Sequence, residues 1–294
     1  MILVVGATGV LGAEICRLLR ESGEEARALV RHGSSREERL KNLGVSVVYG
    51  DLASRVALEE ACSDAKIVIT TATAMSSTEK GNSLRAVDRD GQLLLVDVAK
   101  AAGVEHFIHI SLSPNLSGNS PLVRYKREVA AAVRASGMRW TILQPSVFMD
   151  TWLSSLLGWD FAKAKAMVFG SGAAPVSYIS VNDVARYAVL ATHDSRLWKR
   201  EIPLGGPADL SPNEVVGIFE SVSKRKYKVR KAPAPMLALL SPVVSLIDDR
   251  IGSGMALGAE CSKGDRIRSP LQMDLGLKLT TVRDYAERVI AALP

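Results

Sequence analysis

The sequence predicts an α/β fold, a doubly wound parallel sheet with a small C-terminal α+β cap. In the first half of the 294-residue chain, short runs rich in β-branched residues alternate with helical patterns, and a glycine-rich turn follows the first run. Repeated βα units of this kind form parallel sheets with helices on both faces, and right-handed crossovers fix their winding. The ligands of such sheets bind beyond the carboxyl ends of the strands, so functional residues are expected in the loops after each strand.

The individual elements are assigned from hydrophobic periodicity and from their end signals. Strands are predicted at residues 1–5, 26–30, 45–49, 67–70, 107–110, 140–143 and 201–204, and helices at residues 10–20, 36–43, 55–62, 83–102 and 122–135. Gly103 and Gly137 end the last two of these helices, because glycine suits the left-handed conformation of a C-cap. After about residue 150 the alternation stops, and capping boxes at Ser180-Val-Asn-Asp183, Ser211-Pro-Asn-Glu214 and Thr281-Val-Arg-Asp284 open later helices.

Composition excludes several classes of protein. With 47% hydrophobic and 23% charged residues, the chain has ample material for a core and is not disordered. The net charge of +6 suits a phosphate-bearing ligand but is too small to indicate a nucleic-acid partner. Cys16, Cys62 and Cys261 are far apart in the sequence, so neither disulfides nor a metal site is expected, and a reducing cytoplasm is the expected location.

No membrane partner is expected either. The longest apolar stretches, such as residues 236–240, are much shorter than the roughly 20 residues that cross a bilayer. A secretory signal is not expected, because residues 2–5 already have the pattern of a buried strand.

The most specific motif is Gly6-Ala-Thr-Gly9-Val-Leu-Gly12, between the first strand and the first helix. Gly6 permits a tight turn, Gly9 lets the backbone approach a pyrophosphate, and Gly12 allows the helix to pack closely. The helix N-terminus then directs N–H groups at the phosphates. The residues predicted to bind a dinucleotide here are Gly6, Thr8, Gly9, Val10, Leu11 and Gly12. In this setting the motif predicts a Rossmann domain over residues 1–150, with residues 151–294 as a smaller substrate or cap region interleaved with it.

The end of the second strand favours NADP(H) over NAD(H). NAD-specific folds carry an acidic residue there that binds the ribose hydroxyls, whereas this chain has Leu29-Val30-Arg31-His32, followed by Arg36. The Arg31 guanidinium is suited to a 2′-phosphate. The alternative is that Arg31 and Arg36 are solvated surface charges.

The loops after the third and fourth strands are further candidates. Asp51 and Leu52 follow the third strand, where an adenine ring would lie. Asp51 is expected either to accept a hydrogen bond from the adenine amino group or to cap the helix that begins near Arg55, and Leu52 to pack on the ring. Thr71 and Ala72 follow the fourth strand, where small residues leave room for a ribose.

Together with the glycine motif, Asp51-Leu52, Ser111 after the fifth strand and Ser136-Gly-Met-Arg-Trp-Thr-Ile-Leu-Gln-Pro145 identify a family resemblance. The chain resembles an atypical short-chain dehydrogenase/reductase and, more narrowly, the NmrA-like group of NAD(P)-binding proteins. Val87-Asp-Arg-Asp-Gly-Gln92 and Leu204-Gly-Gly-Pro207 extend the match. The resemblance implies a Rossmann core with a small C-terminal substrate region.

The resemblance also implies where the cofactor's reactive end and the catalytic groups lie. It places the backbone of Pro145, Ser146 and Phe148 beside the nicotinamide. Active members of the superfamily carry a serine, and a tyrosine and a lysine four residues apart on one helix face. The lysine corresponds to Lys126, but the tyrosine position is Leu122.

Tyr125 is no simple substitute for the missing tyrosine, because it is adjacent to Lys126 and points about 100° away around the helix. The resemblance implies that Lys126 binds the ribose or acts alone as proton donor, as in the isoflavone-reductase-like relatives. Ser111 is the candidate to bond a substrate carbonyl. The alternatives are an exposed helix lysine and an ordinary turn serine.

Weaker signals concern aromatic and basic residues. Trp152, Trp159 and Phe161, with Phe148 and Met149, either wall an apolar substrate pocket or belong to the core. The run Lys224-Arg-Lys-Tyr-Lys-Val-Arg-Lys231 suggests an edge strand with its charges facing water, and contact with a nucleic acid or another anionic partner is the alternative. His106 and His109 are predicted on opposite faces of a strand, so no metal site is expected.

The sequence therefore predicts an NADP(H)-dependent oxidoreductase that transfers hydride to a small carbonyl, quinone or related acceptor. A non-catalytic NADP(H)-binding redox sensor or assembly factor is the alternative, and it is motivated by Leu122. A small-molecule substrate is the expected partner, and a homo-oligomer or a protein partner is compatible with the sequence.

Overall fold

The computed structural model describes residues 1–75, 82–118 and 120–293. Strands and helices alternate along its first half. The strands are β1 (Ile2–Val5), β2 (Ala26–Val30), β3 (Ser46–Tyr49), β4 (Ile67–Thr70), β5 (His106–Ile110) and β6 (Arg139–Pro145). The helices are α1 (Val10–Glu21), α2 (Glu37–Asn42), α3 (Arg55–Cys62), α4 (Gln92–Ala101) and α5 (Pro121–Ala135).

The second half is mainly helical. Its helices are α6 (Met149–Trp152), α7 (Val181–Ala191), α8 (Pro212–Ser223), α9 (Ala234–Ile247), α10 (Asp249–Cys261), α11 (Pro270–Asp274) and α12 (Val282–Ala291). Its strands are β7 (Lys165–Phe169), β8 (Arg200–Leu204) and β9 (Lys228–Ala232). The predicted capping boxes form at Ser211 with Glu214 and at Thr281 with Asp284, where they open α8 and α12.

A seven-stranded sheet with the order β3-β2-β1-β4-β5-β6-β8 confirms the predicted fold class. The pairs from β3 through β6 are all parallel. Because β1 is followed in space by β2 on one side and β4 on the other, the winding reverses between β1 and β4, which is where such sheets bind ligands. The central strands β1 and β5 are buried along their whole length, as parallel strands covered by helices on both faces are.

The predicted single helix at residues 83–102 is wrong in its first part. Arg85–Gly91 is a π-helical segment that leads directly into α4. A π-helix holds more residues per turn than an α-helix and often marks a functional position. Hydrophobic periodicity does not reveal it, because the segment is only seven residues long.

The chain divides into two compact units. The first consists of Met1–Ser111, Pro121–Leu143 and Val184–Ile202. Its core includes Leu3, Leu58, Leu95, Phe107 and Ile142, each fully buried between strands and helices. This core fixes the carboxyl ends of β1 to β5 in space, and with them the loops that carry the predicted site.

The second unit consists of Leu112–Ser120, Gln144–Asp183 and Pro203–Pro294. In this unit β7 and β9 form a separate two-stranded parallel sheet. The residues of β9 from Lys228 to Lys231 are all exposed, which confirms the prediction of an edge strand with its charges facing water. In the described ranges no helix is both long enough and apolar enough to span a bilayer.

Candidate functional site

The glycine turn after β1 has the close contacts that the motif predicts. Gly6 has φ +85°, and a Cβ added there would lie 2.7 Å from the backbone nitrogen of Ala72. A Cβ at Gly12 would overlap the carbonyl oxygen of Gly6 and lie 2.7 Å from its carbonyl carbon. Both positions therefore require glycine, because α1 and the β4 loop approach the turn too closely for any side chain.

The N-terminus of α1 opens at this turn. The N-cap of α1 is Gly9, which has no side chain to cap the helix, and the first turn of α1 contains no acidic residue. The first backbone hydrogen bond of the helix runs from the N–H of Ala13 to the carbonyl oxygen of Gly9, so the N–H groups of Val10, Leu11 and Gly12 lie before the first intrahelical donor. These groups and the helix dipole favour a negatively charged ligand. This cradle of backbone groups fits a pyrophosphate.

Two arginines follow β2 beside the turn. Arg36 Nη1 donates a hydrogen bond of 2.9 Å to the carbonyl oxygen of Thr8, inside the glycine motif. Arg31 is half-buried one residue beyond the strand. The sequence-based prediction for a 2′-phosphate centred on Arg31, and the structure adds Arg36, which contacts the turn directly.

The two residues after β3 differ in their surroundings. Asp51 is exposed and accepts a hydrogen bond of 2.9 Å from the backbone nitrogen of Ala53. The prediction that Asp51 caps the next helix is wrong, because Ser54 is the N-cap of α3 and accepts from the nitrogen of Ala57. Leu52 is buried in the core of the unit. Adenine recognition by Asp51 and Leu52 stays a prediction.

The loop after β4 is held by a buried amide. Gln92 Nε2 donates to the carbonyl oxygen of Ala72 at 3.2 Å, and Gln92 Oε1 accepts from the Thr70 hydroxyl at 3.0 Å. The Thr71 hydroxyl donates toward the carbonyl oxygens of Val5 and Gly6. These bonds fix the loop beside the glycine turn, where a ribose was predicted.

Lys126 is buried, so its alternative interpretation as an exposed helix lysine is wrong. Its side chain is 7% exposed and that of Asp88 is fully buried, and Lys126 Nζ lies 3.4 Å from Asp88 Oδ1. The same ammonium group donates a hydrogen bond of 3.4 Å to the carbonyl oxygen of Ile110, the last residue of β5. Lys126 therefore lies at the carboxyl end of the sheet, the edge that also carries the glycine turn.

Asp88 comes from the π-helical segment and forms a buried polar cluster with Lys126. Its Oδ2 accepts a hydrogen bond of 2.8 Å from the backbone nitrogen of Ala74, after β4. Burial raises the pKa of the Asp88 carboxyl, while the positive charge of Lys126 acts in the opposite direction. The carboxyl thus connects the β4 loop to the lysine.

His109 adds a neutral base to this cluster. It is fully buried in β5, and neither ring nitrogen finds a hydrogen-bond partner among the described residues. Burial, with a further contribution from the charge of Lys126, lowers the pKa of His109 well below its usual value. The imidazole is therefore neutral at physiological pH.

Three other positions bear on the predicted catalytic set, namely Leu122, Tyr125 and Ser111. Leu122 is buried on α5, one turn before Lys126. Tyr125 is half-buried, and the Arg124 guanidinium lies 5.7 Å from its ring centre. The backbone nitrogen of Ser111 donates to the carbonyl oxygen of Leu143 at 2.8 Å; a role for its hydroxyl in substrate binding stays a prediction.

In the second unit, Pro145 and Ser146 are buried and Phe148 is half-buried. The Ser146 hydroxyl donates to Asp265 Oδ2 at 2.7 Å, and Asp265 Oδ1 accepts from the Ser113 hydroxyl at 2.6 Å and from Asn115 Nδ2 at 2.8 Å. This buried carboxylate fixes the Ser146 side chain. Contact of Pro145, Ser146 and Phe148 with a nicotinamide stays a prediction.

The aromatic residues divide between core and partial exposure. Trp159 is buried, and its ring centre lies 5.0 Å from that of Phe219 and 6.1 Å from that of Phe161. These two predicted pocket residues therefore belong to an aromatic core. Trp152 is half-buried and packs edge-on against Phe169. Among the described residues no group of three or more His, Cys, Asp and Glu side chains is arranged to hold a metal ion.

Sequence reasoning missed the polar residues that position others. Asp88 and Gln92 lie inside Val87-Asp-Arg-Asp-Gly-Gln92, a segment that the sequence indicates only as part of the family resemblance. A useful signal was available, because two polar residues four apart on an otherwise apolar helix face suggest a buried polar contact. Asp265 lies far from Ser146 in the sequence, and nothing local connects them.

Comparison with known sequences gives a family match over nearly the whole chain. The sequence profile of the NmrA-like family matches residues 1–292. The Photosystem II assembly factor Ycf39 of Guillardia theta is 30% identical over 237 residues, which cover 80% of this chain and 74% of that protein. The NAD(P)H azoreductase of Xenophilus azovorans is 32% identical over 231 residues, which cover 78% of this chain and 76% of that protein.

Comparison with solved structures agrees with the sheet topology. The NADPH-dependent quinone oxidoreductase QOR2 of Escherichia coli, complexed with NADPH, aligns with a TM-score of 0.78 at 19% identity. The alignment covers 98% of this chain and 99% of that chain. At this level of identity the two proteins share a fold.

Proposed function

Because this chain belongs to the NmrA-like family, we propose that it is an NADP(H)-dependent oxidoreductase that transfers hydride to a small carbonyl, quinone or related acceptor. The observation that carries the proposal is the buried Lys126–Asp88 pair, which lies at the same sheet edge as the glycine turn. A dinucleotide cradle and a buried proton donor at one edge are the two parts that a reductase of this fold requires.

The chain's own residues fit the dinucleotide. The N–H groups at the start of α1 bind the pyrophosphate, in a turn where Gly6 and Gly12 leave no room for side chains. Arg36, with Arg31 on the same loop, neutralises a 2′-phosphate and favours NADP(H). The structure of QOR2 with NADPH supports this choice of cofactor, and the NAD(P)H azoreductase relative supports a nicotinamide cofactor in general.

When bound, the reduced nicotinamide would supply the hydride. Lys126 Nζ would donate a proton to the reduced acceptor, which would leave a neutral amine until water returns the proton. Asp88 supports this step because its carboxylate, 3.4 Å away, stabilises the charged ammonium form before transfer. Because Leu122 stands in the position of the usual tyrosine, the proposal assigns proton donation to the lysine alone.

The test is NADPH oxidation by the purified protein with a panel of quinones, aldehydes and azo dyes. Lys126→Met keeps the length of the buried side chain and removes its proton, so kcat is expected to fall at least 100-fold. Lys100→Met, at an exposed lysine near the end of α4, is the matched control and is expected to retain activity. Absence of NADPH oxidation with every acceptor would contradict the proposal.

A non-catalytic role is the second candidate, namely an NADP(H)-binding redox sensor or assembly factor. Leu122 in the tyrosine position and the similarity to the assembly factor Ycf39 favour it. Pull-downs from the native source, with the protein loaded with NADP⁺ or with NADPH, distinguish the two roles. A partner retained in only one redox state, together with no turnover, would support the sensor role; turnover without such a partner would contradict it.

A further inference from the structure

The α9–α10 hairpin presents an apolar surface to solvent. Of the thirteen large hydrophobic side chains that are exposed in the described part of the chain, seven lie on this hairpin: Met236, Leu239, Leu240, Val243, Leu246, Ile247 and Ile251. Leu246 and Ile247 are each 88% exposed. We call these seven side chains the hairpin face. Folded proteins rarely leave so large a contiguous apolar patch exposed unless it binds something.

The inner side of the hairpin explains why these side chains point outward. A Cβ added at Gly252 of α10 would lie 2.6 Å from the Cα of Ser245, and one at Gly258 would lie 3.5 Å from Leu237. The two helices therefore approach closely through small residues. Leu237 and Ser241 are the buried residues of α9 and Val244 is half-buried, so most of its other aliphatic side chains face solvent.

The backbone of α9 is also adapted to apolar surroundings. Pro242 lies inside the helix and has no N–H, which leaves the carbonyl of Ala238 without its helical donor. The Ser241 hydroxyl donates to this carbonyl oxygen at 3.2 Å. Polar groups freed by proline are satisfied in the same way in helices that lie in lipid, where water cannot bind them.

Exposed positive charges precede the hairpin face in the chain. β9 leads through Pro233 directly into α9, and Lys228 and Arg230 of β9 are exposed. In the register of the two-stranded sheet Lys228 is paired with Lys165, a third exposed cation. The 14 residues of α9 themselves carry no charge.

We propose that the hairpin face docks on the surface of an anionic lipid bilayer, with the aliphatic side chains among the acyl chains and the cations of the β7–β9 sheet at the headgroups. A helix of 14 residues is shorter than the roughly 20 that cross a bilayer, so α9 lies in the plane of the interface. The sequence-based expectation of no membrane partner stays a prediction, and this proposal is its alternative.

The composition of the face favours lipid over a protein partner. Its members are Met, Leu, Val and Ile, whereas the side chains that dominate the energetics of protein interfaces are Trp, Tyr and Arg. Two acidic residues follow α9, and Arg250 counters both, because it is paired with Asp248 at 2.7 Å and its charge also interacts with that of Asp249. Aliphatic residues next to basic ones are typical of proteins that bind the membrane surface.

Vesicle co-sedimentation tests the proposal. The full-length protein is expected to bind vesicles of phosphatidylcholine mixed with phosphatidylglycerol, to bind pure phosphatidylcholine vesicles more weakly, and to lose affinity as salt is raised. Replacing both Leu246 and Ile247 by serine is expected to weaken binding more than tenfold. Replacing both Lys228 and Arg230 by glutamine is expected to weaken binding to the anionic vesicles roughly 25-fold, about fivefold per charge.

Met273→Ser is the matched control, because Met273 is 78% exposed on α11, outside the hairpin face, and its loss is expected to leave binding unchanged. Failure to bind either vesicle, or binding that the Leu246 and Ile247 substitutions leave intact, would overturn the proposal. A dimer in sedimentation velocity that these substitutions dissociate, without vesicle binding, would also overturn it and assign the face to a second copy. None of these measurements depends on NADPH or turnover, so the proposed function stands or fails separately.

Discussion

Asp88→Asn tests the proposed role of the buried pair most directly. The substitution keeps the shape of the side chain and an oxygen that can accept the hydrogen bond from the nitrogen of Ala74, but it removes the negative charge 3.4 Å from Lys126 Nζ. At an effective dielectric of about 20, that charge stabilises the ammonium form by about 5 kcal/mol. The carbonyl of Ile110 remains as an acceptor and water entry compensates further, so 5 kcal/mol is an upper limit.

A net loss of about 4 kcal/mol is needed to lower kcat tenfold at pH 8.5, because a lysine with the usual pKa of about 10.4 is almost fully protonated at that pH. A smaller loss is expected to lower kcat only at higher pH, and in either case kcat for NADPH oxidation recovers as the pH is lowered toward 6, because acid restores the proton. The Kd for NADPH is expected to change little.

The assay is the pH dependence of kcat, with Asp97→Asn as control, since Asp97 is an exposed carboxylate on α4 that is paired with Arg55. Nitrogen NMR of protein labelled in its lysines follows the protonation of Lys126 without substrate. If the folded Asp88→Asn protein has the pH profile and the lysine titration of the wild type, Asp88 does not hold the proton of Lys126 and the reasoning is refuted.

Three further predictions concern the cofactor turn and the core. Gly12→Ala is expected to abolish NADPH binding in calorimetry and to cost several kcal/mol of stability, because its Cβ would overlap the backbone of Gly6. The control is Gly217→Ala, at a position in open space on α8, which is expected to stabilise the folded protein by up to about 1 kcal/mol. Arg36→Ala is expected to weaken NADPH binding at least tenfold and NADH binding much less, and equal losses in calorimetry would contradict a 2′-phosphate contact. Burial lowers the pKa of His106 to about 4, so the folded state resists protonation, and up to about 3 kcal/mol of the free energy of unfolding is lost as the pH falls from 6.5 to 4. In urea unfolding, His106→Gln is expected to lose less stability over this pH range. A variant with the same pH dependence as the wild type would contradict the prediction.

The sequence by itself determined most of the first half of the fold. Strands and helices predicted there lie within a few residues of those observed, because β-branched runs, helical periodicity and glycine C-caps are local signals. Gly6 and Gly12 were likewise predicted as glycine-requiring positions, since the constraint arises from the turn between one strand and one helix. Arg31 and Arg36 were located on the correct loop for the same reason.

Tertiary structure decided which polar side chains meet. Asp88 and Lys126 come from separate helices, and only the packing of the π-helical segment against α5 brings the carboxylate to the ammonium group. The same holds for Asp265 and Ser146, 119 positions apart in the chain. Electrostatic contacts of this kind depend on distances across the fold, which local periodicity does not encode.

The outward face of α9 was decided in the same way. The sequence shows residues 236–240 only as a short apolar stretch, of the kind that usually lies in a core. In the structure the small residues of α10 occupy the inner side of the hairpin, so these aliphatic side chains face solvent. Hydrophobicity is a property of the residue, whereas burial is a property of the packing around it, and only the latter shows which apolar surface is left for a partner.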